Sequence, residues 1–184
     1  MSSLKLRFIP VVVVVIALAP WATAAERILR TEVVVHAPVS EVWKAFTTKE
    51  GVQSWMVPVA EVDLRIGGTI KTNYNPKAKI GDPGTIVHHI LSYEPERMLA
   101  TRFEAAPDGP DWAKLAQVTW VVYRFDPLSP QETRVVVSMM GWGEGPAWDD
   151  SYEHFRRGNA WEMEQLVKRF ASNPAGTGGA VPHP

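Results

Sequence analysis

His88 and His89 stand side by side in "TIVHHILSY", and Asp150 and His154 stand four apart in "DDSYEHF". The chain has no cysteine, so histidines and carboxylates such as these are its strong metal ligands and its proton carriers. Two adjacent imidazoles could hold a metal or pass a proton to a substrate. Neighbours in a strand project to opposite faces, however, so His88 and His89 cannot share one ion; one faces inward and the other faces solvent. The inward one reads first as a polar wall residue and second as a proton-transfer group. Asp150 and His154, with Asp149 and Glu153 offset by one residue, could grip a divalent ion. Solvated acids at a helix start leave the same pattern, because the macrodipole favours negative charge there. No metal and no cofactor is expected. Acid–base catalysis would need an inward titratable pair, and His88 or His89 beside Glu104 or Asp63 is what the sequence offers.

The loop "GWGEGP", Gly141 to Pro146, has the glycines of a phosphate cradle without its lysine and hydroxyl residue. Glu144, Asp149 and Asp150 at the following helix start would repel phosphate. It reads as a strand-to-helix connection. Gly-x-Ser-x-Gly and His-Glu-x-x-His are both absent, so no catalytic residue is assigned and an enzyme is the weaker reading. Eight tryptophans in 184 residues are the more informative class. Large rings with one N–H suit a dense core or a pocket for apolar ligands. Trp55, His88, Trp112, Trp120 and Met140, with Asn159 and Met163 from the terminal helix, are the expected cavity lining. A one-residue error in strand register would invert the strand members of that set.

The elements that must position these residues follow from periodicity. "RTEVVVHA" is β-branched and ends at Pro38, as a first strand does. In "PVSEVWKAFTTKEGVQSWM" Val39, Val42, Trp43 and Phe46 recur at helical spacing, and Gly51 is placed to close a second short helix. From Val59 to Trp142 three hairpins are expected, turning at Gly67-Gly68, at Glu94 to Arg97 and at Asp126 to Glu132. With the first strand they give about seven strands, all antiparallel because the turns leave no room for crossover helices. Pro146 and the acids after it open a last helix. Its stripe Phe155, Asn159, Met163, Leu166 and Phe170 must lie on the concave face of a curled sheet.

That order, with "APVSEVWKAFTTKEGVQSWMVP", Gly67-Gly68, "GTIVHHILSYEPERMLATRF" and Gly158 followed by Met163, Leu166 and Phe170, resembles the START-related (SRPBCC) superfamily. Within it the sequence is most similar to the branch named for the activator of the heat-shock-protein-90 ATPase. The likeness spans about residues 31–171. It implies an α+β helix-grip fold, a curved antiparallel sheet wrapped around a long C-terminal helix, with a deep cavity between them for apolar small molecules. One departure is "GNAW", Gly158 to Trp161, where the family commonly has a Gly-Trp pair; Asn159 takes the stripe and Trp161 points away from it.

The ends of the chain differ in kind. Lys5 and Arg7, an apolar run from Phe8 to about Ala19, and Ala22-Thr23-Ala24 have the form of an export signal cleaved near Ala24. The run is short for a membrane anchor, the alternative fate. Removing Lys5 and Arg7 from 19 basic residues against 20 acidic ones takes the net charge from −1 to −3. With no basic cluster, nucleic acid is a poor partner. Residues 172–184, rich in Gly and Pro, are expected to be disordered, which leaves one domain over 28–171. The leading expectation is an exported carrier or sensor, periplasmic or secreted, for a lipid-like or polycyclic ligand. An enzyme of the same fold (a cyclase, hydratase or hydrolase) is the alternative. A protein-interaction or chaperone-assisting module is a third reading, and the export signal conflicts with a cytosolic partner. Oligomeric state is left open.

Overall fold

The computed structural model describes residues 26–104 and 110–171. The expected export signal and C-terminal tail lie outside these residues. Seven antiparallel strands form one curled sheet: β1 (Leu29–Val35), β2 (Val59–Val62), β3 (Thr69–Asn73), β4 (Ile86–Glu94), β5 (Met98–Glu104), β6 (Trp120–Ser129) and β7 (Glu132–Met140). Their spatial order is β1-β7-β6-β5-β4-β3-β2. Every sequential pair from β2 to β7 is adjacent, and β1 closes the far edge against β7. Helices α1 (Val39–Thr47) and α2 (Lys49–Gln53) follow β1, and the 26-residue α4 (Pro146–Ala171) ends the described chain.

Two details differ from the sequence reading. Gly51 does not close α2 but lies inside it. Its N–H donates to the Thr48 side chain at 3.0 Å, and a Cβ there would strike the Lys44 carbonyl, so only glycine lets α2 turn directly off α1. A further helix, α3 (Asp111–Ala116), lies in the link between β5 and β6, where the sequence reading assigns no element. Pro110 at its N-cap, Asp111 in its first turn and Lys114 three residues on, 3.7 Å from Asp111, are ordinary helix signals in a short window.

The two ends of α4 are packed differently from its middle. Met163, Leu166 and Phe170 are buried in the main core, each contributing roughly 1.5–3 kcal/mol through lost apolar surface. Beside them, α1 sends Trp43 and Phe46 against Phe125 of β6, with ring centroids 5.6 and 5.1 Å apart. At the N-terminal end, Trp142 seats the helix, its ring edge-on to Trp148, Tyr152 and Phe155. Arg27 ties the same turn to the start of β1, bonding Asp149 at 2.6 Å and lying 4.1 Å over the Tyr152 ring. Between these two anchored ends the helix bridges a hollow.

Candidate functional site: a cavity beneath the last helix

The hollow is a cavity of about 230 Å³. Alternation along the strands builds its wall: Ile70 and Thr72 of β3, Ile86 and His88 of β4, Leu99, Thr101 and Phe103 of β5, Val121 and Tyr123 of β6, and Met139 of β7. Phe46 and Val52 come from α1 and α2, and Trp112 from α3. The roof is one face of α4, where Phe155, Gly158, Asn159 and Glu162 fall at helical spacing. At one side of the roof the Trp112 indole stacks on His154, with centroids 3.7 Å apart, and meets Phe155 edge-on. Ser151 holds this corner together, donating its hydroxyl to the Trp112 carbonyl at 2.9 Å.

Polar groups are few, and several are unusual. Thr101 Oγ1 and Asn159 Nδ2 are the buried side-chain polar atoms without a hydrogen-bond partner among the described residues, and both belong to cavity-lining residues. Burying such a group unpaired costs on the order of 1–3 kcal/mol, a cost that a bound ligand's polar atom would relieve. Burial pushes the imidazole of His88 down to about 4, helped slightly by His89, so it is neutral at physiological pH. Burial pushes the carboxyl of Glu162 up to about 7; the hydrogen bond from the Tyr74 hydroxyl, 3.3 Å long, opposes that shift. The phenols of half-exposed Tyr74 and of Tyr123 are both raised, first by partial burial and then by the charge of Glu162. His154 is lowered, by partial burial and by nearby Arg157.

Residues 36–171 match the family model described as Activator of Hsp90 ATPase homolog 1-like protein. The chain belongs to this family. Solved structures agree on the fold. Protein MLL2253 from Mesorhizobium loti is 17% identical, covering 80% of this chain and 98% of that one at a TM-score of 0.61. The Aha1 dimer from Colwellia psychrerythraea is also 17% identical, covering 78% and 96% at 0.62. DynU16, from the dynemicin biosynthetic locus, is 18% identical over 79% of this chain and 47% of that one, at 0.59. No curated protein matches the chain.

In this Activator of Hsp90 ATPase homolog 1-like chain, three of the seven residues expected at the cavity are on its wall: His88, Trp112 and Asn159. The other four are elsewhere. Trp55 is 1% exposed in the core, its indole N–H bonded to the Ala45 carbonyl at 2.9 Å and its ring against Phe46. Met163, equally buried, packs in the core one turn beyond Asn159. Trp120 and Met140 pair across β6 and β7, and their neighbours Val121 and Met139 hold the inward positions. That is the one-residue inversion inherent in a period of two.

The histidine pair divides as strand geometry requires. His88 enters the cavity, while His89 contacts Glu104 at 2.5 Å with both side chains about half exposed. Asp63 pairs with Arg65 at 2.8 Å, also exposed. The acid–base pairs offered by the sequence therefore lie outside the cavity. Asp150 is exposed, and no group of three or more metal-ligating side chains exists among the described residues. The sequence reading missed Glu162, Tyr74, Tyr123 and Thr101. Glu162 was legible in principle, since it stands seven residues after Phe155 and three after Asn159 on the same face.

Proposed function

We propose that the protein binds an apolar small molecule, lipid-like or polycyclic, in the cavity beneath α4, and that it works outside the cytoplasm after losing residues 1–24. The observation that carries the binding reading is the pairing of a mostly apolar hollow with two unpartnered polar atoms, Thr101 Oγ1 and Asn159 Nδ2. Close-packed interiors seldom tolerate either feature, and a ligand with one or two polar atoms accounts for both. The export reading is supported by the basic start, short apolar run and Ala22-Thr23-Ala24 of the N-terminus.

Native mass spectrometry of protein purified from its own host tests the binding reading: a co-purified small molecule released on denaturation is expected, and a mass equal to the bare chain with no uptake of apolar compounds would overturn it. Sequencing the N-terminus of the same material tests export. A start near Ala25 in an extracytoplasmic fraction is expected; an intact Met1 in the cytoplasm would contradict it.

A second reading, an enzyme of this fold acting on such a ligand, is favoured by Glu162, whose carboxyl is held near 7, where it could both give and take a proton. Chemical change of the co-purified molecule on incubation, lost in Glu162→Gln, is the result that reading requires.

A further inference from the structure

Glu162 is the one carboxylate on the cavity wall among the described residues, and no lysine or arginine stands on that wall. His88, from β4, is neutral near pH 7, and His154, on α4, is shifted the same way, so neither offers a countercharge. The groups next to the carboxyl are phenols. Tyr74, just past β3, donates to Glu162 Oε1, and Tyr123 of β6 lies within reach of its charge. An anionic ligand would meet a like charge here with nothing to offset it. A positive group carried by the ligand would instead relieve a carboxylate that has no cation on the cavity wall among the described residues.

The aromatic surroundings fit the same charge. Tyr74 is 44% exposed and Trp161 37%, two large rings left open to solvent with centroids 6.4 Å apart, at the turn of α4 that carries Glu162. The faces of Tyr and Trp attract organic ammonium groups, and such rings around a carboxylate make a cation cage.

We propose that the Glu162 end of the cavity, walled by Tyr74 and Tyr123 and backed by Trp161, binds the head group of a hydrophobic ammonium ion whose apolar body fills the hollow. This rests on the ligand-binding reading above and names its ligand class. At about 230 Å³ the hollow is below the usual range for drug-sized ligands, so the body is a single chain or one or two rings rather than a two-chain lipid. The ion pair needs the ionised carboxyl. Affinity therefore rises with pH through about 7 and levels off above it, since Tyr74 and Tyr123 stay protonated and His88 and His154 uncharged there.

Tryptophan-fluorescence titration of the full chain with decyltrimethylammonium, decanol and decanoate, all below micelle-forming concentrations, is the test. The ammonium is expected to bind at least about tenfold more tightly than decanoate at a pH about one unit above the Glu162 value, and to lose that margin about one unit below it. Glu162→Gln should cost the ammonium about tenfold and leave decanol unchanged. Trp161→Ala, at an exposed site that does not threaten the fold, should weaken the ammonium several-fold relative to decanol. Vesicles of phosphatidylcholine, which present the same cation on two chains, should give no response. Decanol and decanoate binding as tightly as the ammonium, or a response to the vesicles alone, would overturn this inference and leave the cavity reading standing. Failure of all three ten-carbon probes would overturn both.

Discussion

The hydroxyl of Tyr74 donates to Oε1 of Glu162 across 3.3 Å, joining the end of β3 to the closing helix at the charged end of the cavity. The bond is a partial compensation: it favours the ionised carboxyl, while burial favours the protonated one more strongly. The cavity thus carries two half-buried titratable groups displaced in opposite directions, Glu162 upward and His88 downward.

Those displacements have opposite effects on stability. Glu162, raised from 4.5 to about 7, contributes stability that is fully present below 4.5 and is lost as the pH rises to about 7. His88, lowered from 6.5 to about 4, contributes stability that is present above 6.5 and is lost as the pH falls to about 4. Relative to the parent, Glu162→Gln should gain stability with rising pH, reaching a plateau above about 7, by on the order of 1 kcal/mol after solvent screening. His88→Gln should gain relative to the parent as the pH falls from 6.5 toward about 4. Urea titrations at a series of pH values check both; parallel curves would contradict the burial of the two groups.

Trp55 and Trp112 separate stability from binding. Trp55→Ala removes a fully buried ring and its bond to Ala45, and should cost about 3–5 kcal/mol. Trp112→Ala opens the corner beside His154 and Phe155, so the expected loss falls on ligand affinity more than on the denaturation midpoint. Measuring both quantities for both variants decides the assignment.

Ser151 is fully buried and spends its hydroxyl on the Trp112 carbonyl. Ser151→Ala should cost about 1 kcal/mol and loosen α3 from α4. Stopped-flow release of a bound probe should be faster in that variant; an unchanged rate would mean that this corner does not gate the cavity.

Gly141 combines a φ of +84° with a close approach, since a Cβ there would lie 2.7 Å from the Trp120 ring. Gly141→Ala should lower stability by about 1–3 kcal/mol through strain at the start of the loop into α4. Denaturant midpoints measure it.

The fold was largely legible in the sequence because periods of two and of 3.6 recur over long windows. The run from Ile86 to Glu104 and the stripe from Phe155 to Phe170 each place their side chains without outside help. The cavity wall was less legible. Ring and sulfur mark Trp120 and Met140 as lining candidates by size, whereas facing depends on register, and Val121 and Met139 take the inward positions. Trp55 was legible as buried but not as core, since both roles select a large ring with one bonded N–H. Glu162 was overlooked because a lone glutamate on a helix is ordinarily solvated; only the curl of β3 and β6 toward it, bringing Tyr74 and Tyr123, makes it exceptional. α3 was too short for a periodic signal to outweigh the strands on either side.

If the space between α4 and the sheet holds a ligand, a crystal structure of protein purified from its own host will show it. Electron density is expected for a small molecule under Asn159, with a polar atom within hydrogen-bonding distance of Thr101 Oγ1 or Asn159 Nδ2. A closed core, with Phe155 packed down onto Tyr123 and no room between them, would contradict it.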